Sequence, residues 1–579
     1  MAADRHAVDF TKGEAPPAHR PTVRGRRHMV SSGHYLASQA AFQILEAGGN
    51  AVDAGVAAGL ALGVVQSEFV NIAGVAPIVI YLAESGRVVT VSGLGPWPKA
   101  ATLELFLTEH DGKIPAGLRR TVVPAAPDAW CTALERWGTM SFADAIAPAM
   151  EHARRGFPVS AFSAYQMGAN ADKYRRWPTS IALYLREGRA YRLGEVLVQS
   201  ELADTLGRMV AAEKKTGGSR AAGIRAARDE FYRGETARRI AEFHRQNNGP
   251  LTAADLADFS VEVEPALRTR FGPYEVAACG FWCQGPSLLQ MLNMLDGLDL
   301  AALGHNSPAY LHRLVETIKL AFADRDAYYA DPHVVKVPAE RLLSKEYAAL
   351  RRALVRERAW PEMPPAGEAG ARREAVPVAG GSSDDALDTS YVAVVDEAGN
   401  GFSATPSDPN VDSPVVAGVG CVVSPRGSQG WLDPAHPSVV APGKRPRLTP
   451  APAMALRDGK LLMPFGTPGG DVQQQAMLQV FLNVTEFGMP LQEAIEAPRL
   501  ASRSFPDSFW PHAYSPGKLE AERRIARDTR EALAALGHEV TEWPEWEWRA
   551  GAVCAVKVGP EGTRWGGADP RRGALAIAR

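Results

Sequence analysis

The residues Asp388-Thr389-Ser390-Tyr391-Val392-Ala393-Val394-Val395-Asp396 constrain this chain more than any other stretch. They follow the loop-like Gly380-Gly381-Ser382-Ser383-Asp384-Asp385 and a segment rich in Pro, Gly, Glu and Arg, from about Trp360 to Pro377, that reads as unstructured. The abrupt change to Tyr and Val predicts a strand, and apolar residues at successive positions predict one covered on both faces. Glu397-Ala398-Gly399 reads as a tight turn, with Asn400 to Ser407 as the returning strand. If Asp396 faces Asn400, paired residue numbers keep a constant sum, and Thr389 falls opposite Ser407. Two hydroxyls then face each other at the mouth of the hairpin, either satisfying local backbone groups or doing chemistry.

The rest of the chain narrows the choice. A length of 579 residues with 46% apolar and 22% charged side chains fits a soluble globular protein with an ample core. A net charge of −2 gives no basic footprint for nucleic acid or an anionic membrane, so the expected partner is a small molecule. The five cysteines, Cys131, Cys279, Cys283, Cys421 and Cys554, lack paired metal-ligand spacing and read as buried free thiols, which points to the cytoplasm. Residues 1–28 read as a flexible N-terminal segment without the apolar run of a secretory signal, and no later stretch reads as a membrane span. No metal or organic cofactor is implied.

Small-residue helices are predicted over Ala37 to Ala47 and Asn50 to Val64, the second with side chains small enough for very close packing. Ile78 to Leu82 and Val88 to Ser92 read as a hairpin, and most of Ser141 to Tyr329 as helical. Near the C-terminal side, a strand from Lys460 to Phe465 runs into Gly466-Thr467-Pro468-Gly469-Gly470 and then a helix from Val472 to Thr485. Strand, glycine loop and helix aim backbone N–H groups at an anion. Asp471 stands where a phosphate loop would place Lys, so the oxyanion of a tetrahedral intermediate fits better than a phosphate.

Several stretches together resemble the gamma-glutamyltransferase family of N-terminal-nucleophile hydrolases. These are Glu46 to Ala54, Arg136 to Ser141 with Pro148-Ala149, Ala323-Asp324-Arg325 with Asp331-Pro332, Thr389 to Gly399, Lys444-Arg445-Pro446 and Gly466 to Gly470. The resemblance implies an α/β fold, a four-layer αββα sandwich, made as one precursor. It implies cleavage between Asp388 and Thr389, giving a large subunit, residues 29–388, and a small subunit, residues 389–579, that stay together. A homodimer of that heterodimer is compatible with it. Thr389 is then the nucleophile and its freed α-amine the base, a role suited to an amine pKa of about 7.7 to 8.0. The resemblance makes Ser407 an orienting hydroxyl and Gly469 and Gly470 the oxyanion hole.

The substrate side departs from the family. Aligned on Pro98-Lys99-Ala100, Gly93 stands where the carboxylate-binding Arg belongs, and Leu448-Thr449 replaces two serines. Ser424-Pro425-Arg426-Gly427-Ser428-Gln429 lacks the Asp that pairs with a substrate ammonium, and brings in Arg426, able either to bind a substrate carboxylate or to pair with a nearby acid. The segment from Trp431 to Lys444 is short for a lid. Candidate substrate-binding residues are Arg426, Thr405, Thr449 and Tyr391, with Phe69, Trp97 and Trp431 as further apolar wall or core. The expectation is a self-processing Thr amidohydrolase or acylase. The alternatives are a hydrolase or transferase of glutathione-like gamma-glutamyl compounds, and an unprocessed binding protein.

Overall fold

The computed structural model describes residues 18–370 and 389–579. Strand alternation in this chain builds two antiparallel seven-stranded sheets that pack face to face. In one sheet the order is Leu575–Ala578, Met29–Ser32, Val392–Val395, Gly401–Ala404, Ile78–Leu82, Arg87–Val91, Val263–Pro265. In the other it is Val23–Gly25, Arg564–Ala568, Cys554–Val558, Lys460–Gly466, Ala453–Arg457, Tyr274–Ala278, Leu267–Phe271.

Because successive side chains leave a strand on opposite faces, the strand after Thr389 feeds two cores. Val392 and Val394 join the cluster beneath the helices Tyr35–Glu46 and Ala51–Val65. Tyr391, Ala393 and Val395 join the cluster between the sheets, against Met454, Leu456, Cys554 and Val556. A third cluster puts Val276, Ala453, Ala455 and Phe465 beneath the helices Gly285–Leu295, Pro308–Tyr328 and Gln473–Thr485. Helix, sheet, sheet, helix is the αββα sandwich that the family resemblance implied.

The small residues of Ala51–Val65 serve the expected purpose. A Cβ at Gly55 would stand 2.1 Å from the Phe402 ring, so only glycine lets this helix seat on the hairpin. Asp53 closes a capping box with Asn50 and also accepts from Thr139 N (2.9 Å), Thr139 Oγ1 (2.7 Å) and Met140 N (3.1 Å), tying together two motif stretches far apart in sequence. Asp396 at the hairpin turn accepts from Ala51 N (2.9 Å), which pins the turn to the same helix end.

Two expectations change. Residues 1–17 of the segment read as flexible lie outside the described residues, but Val23–Gly25 is a strand paired with Arg564–Ala568. The stretch beginning at Trp360 carries no regular secondary structure as far as residue 370, yet it is anchored. Trp360 N donates to Glu316 (3.1 Å), Lys319 Nζ to Trp360 O (2.8 Å) and Gly367 N to Asp324 (2.8 Å). The loop before Thr389, and Asp388 itself, lie outside the described residues. No helix among the described residues is long and apolar enough to cross a membrane.

Candidate active site

The hairpin keeps the expected register, with Val392 paired to Ala404 and Val395 to Gly401. An isolated bridge extends the pairing to Thr389 and Ser407, and their hydroxyl oxygens stand 3.0 Å apart, both residues buried. Ser407 N donates to Val75 O (3.0 Å), so the returning strand is held by the stretch Asn71 to Pro77.

Arg426 opens a short 3-10 turn, Arg426–Gln429, and is 1% exposed. Its Nε donates to Asp408 Oδ1 (2.7 Å) and its Nη2 to Ser407 Oγ (2.5 Å). Of the two readings of this Arg, the structure shows the acid pair. Asp408 has φ 109°, a left-handed conformation unusual for a residue with a side chain, and its carbonyl accepts from Asn71 Nδ2 (2.7 Å).

The glycine loop follows Lys460–Gly466 and leads through the 3-10 turn Gly470–Val472 into Gln473–Thr485. Gly469 has φ 127° and Gly470 φ 54°, values that strain any residue with a Cβ. Among the described residues neither amide finds a protein acceptor. The loop is braced from below. Gln284 Nε2 donates to Gly470 O (2.9 Å) and its Oε1 accepts from Arg325 Nη1 (3.1 Å). Arg325 ion-pairs with Asp471, which also accepts from Ser508 N (2.8 Å) and Ser508 Oγ (2.6 Å). Burial pushes the Asp471 carboxyl up, but Arg325 and Ser508 outweigh it and hold it below the usual carboxylate range. Arg325 of the Asp324-Arg325 motif is thus scaffold for the loop, while Asp324 accepts from Gly367 N and pairs with Arg351, and Asp331 binds Arg445 at 2.8 Å.

Thr405 is buried and its hydroxyl has no protein partner among the described residues, whereas Thr449 Oγ1 accepts from Gln429 Nε2 (2.9 Å). Tyr391 packs in the core between the sheets, its hydroxyl 2.6 Å from Ser403 Oγ. Trp431 is stacked between His436 and His512, at 3.8 and 3.7 Å between ring centroids, and burial pushes both imidazoles down to about 4. A Cβ at Gly93 would stand 1.9 Å from Ala76 O, and its φ is 51°, so no long side chain can stand there. His312, Glu316 and His538 also lie together, but buried Lys319 Nζ already sits 2.8 Å from Glu316, putting an ammonium where a cation would go.

Sequence reading missed Asp408, Asn71 and Gln284. Asp408 follows Ser407 directly and offered a signal, an acid beside the hydroxyl expected to face Thr389. Gln284 offered none.

A Thr at the head of an inner strand, in an αββα sandwich with an anion-directed glycine loop, defines a hydrolase of the N-terminal-nucleophile class. The gamma-glutamyltranspeptidase family model matches residues 37–578, and the chain belongs to that family. Acylase ACY 1 proenzyme of Pseudomonas sp. (strain SE83) is 34% identical over 99% of this chain and 96% of its own length. Glutathione hydrolase-like YwrD proenzyme of Bacillus subtilis (strain 168) is 34% identical over 96% of this chain and 99% of its own. Among solved structures, cephalosporin acylase from Bacillus halodurans superposes with a TM-score of 0.85 at 28% identity, covering 99% of both chains.

Proposed function

We infer that the chain is a self-processing amidohydrolase that cleaves a small-molecule amide through an ester of Thr389. The observation that carries this reading is the pair of buried hydroxyls, Thr389 and Ser407, 3.0 Å apart at the strand head. In the precursor, Thr389 Oγ adds to the carbonyl of residue 388, the peptide C–N bond breaks to give an ester, and water hydrolyses it. The products are a new carboxylate on the large subunit and a free amine on Thr389. In turnover that amine takes the Oγ proton, Oγ attacks the substrate carbonyl, and the Gly469 and Gly470 N–H groups hold the oxyanion. The amine then protonates the departing nitrogen, and water releases the acyl group.

Recognition is drawn on the acyl side. Gly93 is closed against Ala76 O, and Gln429 is a neutral residue engaged with Thr449. Neither offers a charge to an α-amino acid, which favours an acylase over a gamma-glutamyl enzyme. Thr405 and Thr449 are the hydroxyls proposed to face the acyl group, whereas Tyr391, packed between the sheets, is left out of that proposal. The gamma-glutamyl reading is supported by the glutathione hydrolase-like relative. Five buried free thiols support a reducing, cytoplasmic setting, and a dimer of the processed heterodimer fits the same reading.

Denaturing electrophoresis tests the reading. Wild type is expected to give two fragments and Thr389→Ala a single full-length band; a wild type that stays full-length after long incubation refutes self-processing. The two substrate readings separate on turnover of a gamma-glutamyl anilide against an uncharged acyl anilide, the second being expected to be faster.

A further inference from the structure

We propose that Arg426 is a positioning residue for the nucleophile, acting through Ser407, a reading that rests on Thr389 being that nucleophile. A guanidinium only donates hydrogen bonds, so Nη2 at 2.5 Å occupies one lone pair of Ser407 Oγ. The Ser407 proton is thereby directed away from the guanidinium, and Thr389 Oγ1, 3.0 Å away, is placed to accept it. As negative charge develops on Thr389 Oγ1, it meets an O–H polarised by a buried cation. The cation itself is fixed. Asp408 Oδ1 holds Nε at 2.7 Å, Asn71 holds the Asp408 backbone, and the Phe509 ring lies 5.6 Å from the guanidinium carbon. Asp408 also neutralises the arginine, which offsets the cost of burying both.

Nη1 has no protein partner among the described residues, and it is the donor a substrate carboxylate would need. Self-processing separates the two roles, because it involves no external substrate. A carboxylate clamp leaves processing untouched, whereas a positioning residue for Thr389 acts in both reactions.

The experiment follows precursor half-life on denaturing gels, together with kcat and KM on two anilides, one of a monocarboxylic and one of a dicarboxylic acid of equal length. The proteins are wild type, Arg426→Lys, the charge-neutral pair Arg426→Met with Asp408→Asn, Ser407→Ala, and the combination of that pair with Ser407→Ala. Removing the Arg–Asp pair is expected to slow both processing and kcat on the uncharged substrate by roughly 10- to 100-fold, with KM unchanged. Arg426→Lys is expected to recover part of the loss. Adding Ser407→Ala is expected to cost less than the product of the separate effects, the mark of groups acting in series.

Wild-type processing with a raised KM for the acidic anilide alone would overturn the proposal in favour of a clamp. Fully multiplicative losses with Ser407→Ala would overturn it in favour of a structural arginine. Failure of wild type to process at all is a different result and refutes the reading of Thr389 itself.

Discussion

Gln284→Leu is the sharpest probe of the glycine loop. Gln284 is fully buried, donates to Gly470 O at 2.9 Å and accepts from Arg325 Nη1 at 3.1 Å. Leucine keeps most of the volume and removes both bonds. Arg325 retains Asp471 and Ser508, so its loss is small, but the Gly470 carbonyl is left buried without that donor. Gly470 O keeps the bond from Gln473 N, so the loss is that of one buried hydrogen bond, and we expect about 1 kcal/mol in denaturant unfolding. The kinetic effect is separate. Loss of one oxyanion donor in comparable sites costs about 10²–10³ in kcat, and a residue that only orients the donor should cost less, about 10-fold. The assay is kcat and KM on the processed enzyme with an uncharged anilide. A lowered unfolding midpoint with kcat within about twofold of wild type would refute the link between Gln284 and catalysis, leaving it a prop of the fold.

Two further outcomes are expected. Burial pushes the Glu68 carboxyl up to about 7 against the opposing 2.5 Å bond from Ser163, so its contribution to stability is full below its ordinary range and is lost as pH rises through about 7. Glu68→Gln should therefore match wild type near pH 4.5 and exceed it by about 3 kcal/mol near pH 8 in denaturant unfolding; an equal difference at both pH values would sink the assignment. Turnover uses a free α-amine whereas processing occurs while that nitrogen is acylated, so kcat/KM should rise with an inflection near about pH 8 that the processing rate lacks. A shared inflection in both profiles would mean that some other group is the base.

Local patterning made the hairpin legible. A two-residue period with a fixed turn sets which residues face each other, and Thr389 meets Ser407 for the same reason that Val392 meets Ala404. The glycine loop was legible because strand, glycines and helix follow one another in the chain. What could not be read were bonds between distant segments. Gln284 and Gly470 are 186 positions apart, and Arg325 and Asp471 are 146. Nothing in either local sequence reports the other. Tyr391 illustrates another limit. A strand apolar on both faces does not say which face meets the second sheet and which a cleft, and packing placed Tyr391 between the sheets.

The rewritten recognition side follows one physical logic. A pocket for a zwitterionic α-carbon must keep a cation and an anion ready, and each costs free energy when buried without a partner. Here the Arg426 charge is paired with Asp408 and its Nη2 with Ser407, Gln429 is engaged with Thr449, and the backbone at Gly93 is closed against Ala76 O. Among the described residues, no unpaired charge stands at those three places. The groups that the hydrolytic reaction needs are arranged differently. The Gly469 and Gly470 amides, proposed to hold the oxyanion, have no protein acceptor among the described residues, in a loop braced by Gln284, Arg325 and Asp471, all of them buried. On the proposed reading, sequence change at Gly93 or Gln429 alters the acyl group accepted without disturbing the Thr389 chemistry. The exception is Arg426, which touches Ser407 directly. At that residue a change in recognition is also a change in the nucleophile's surroundings.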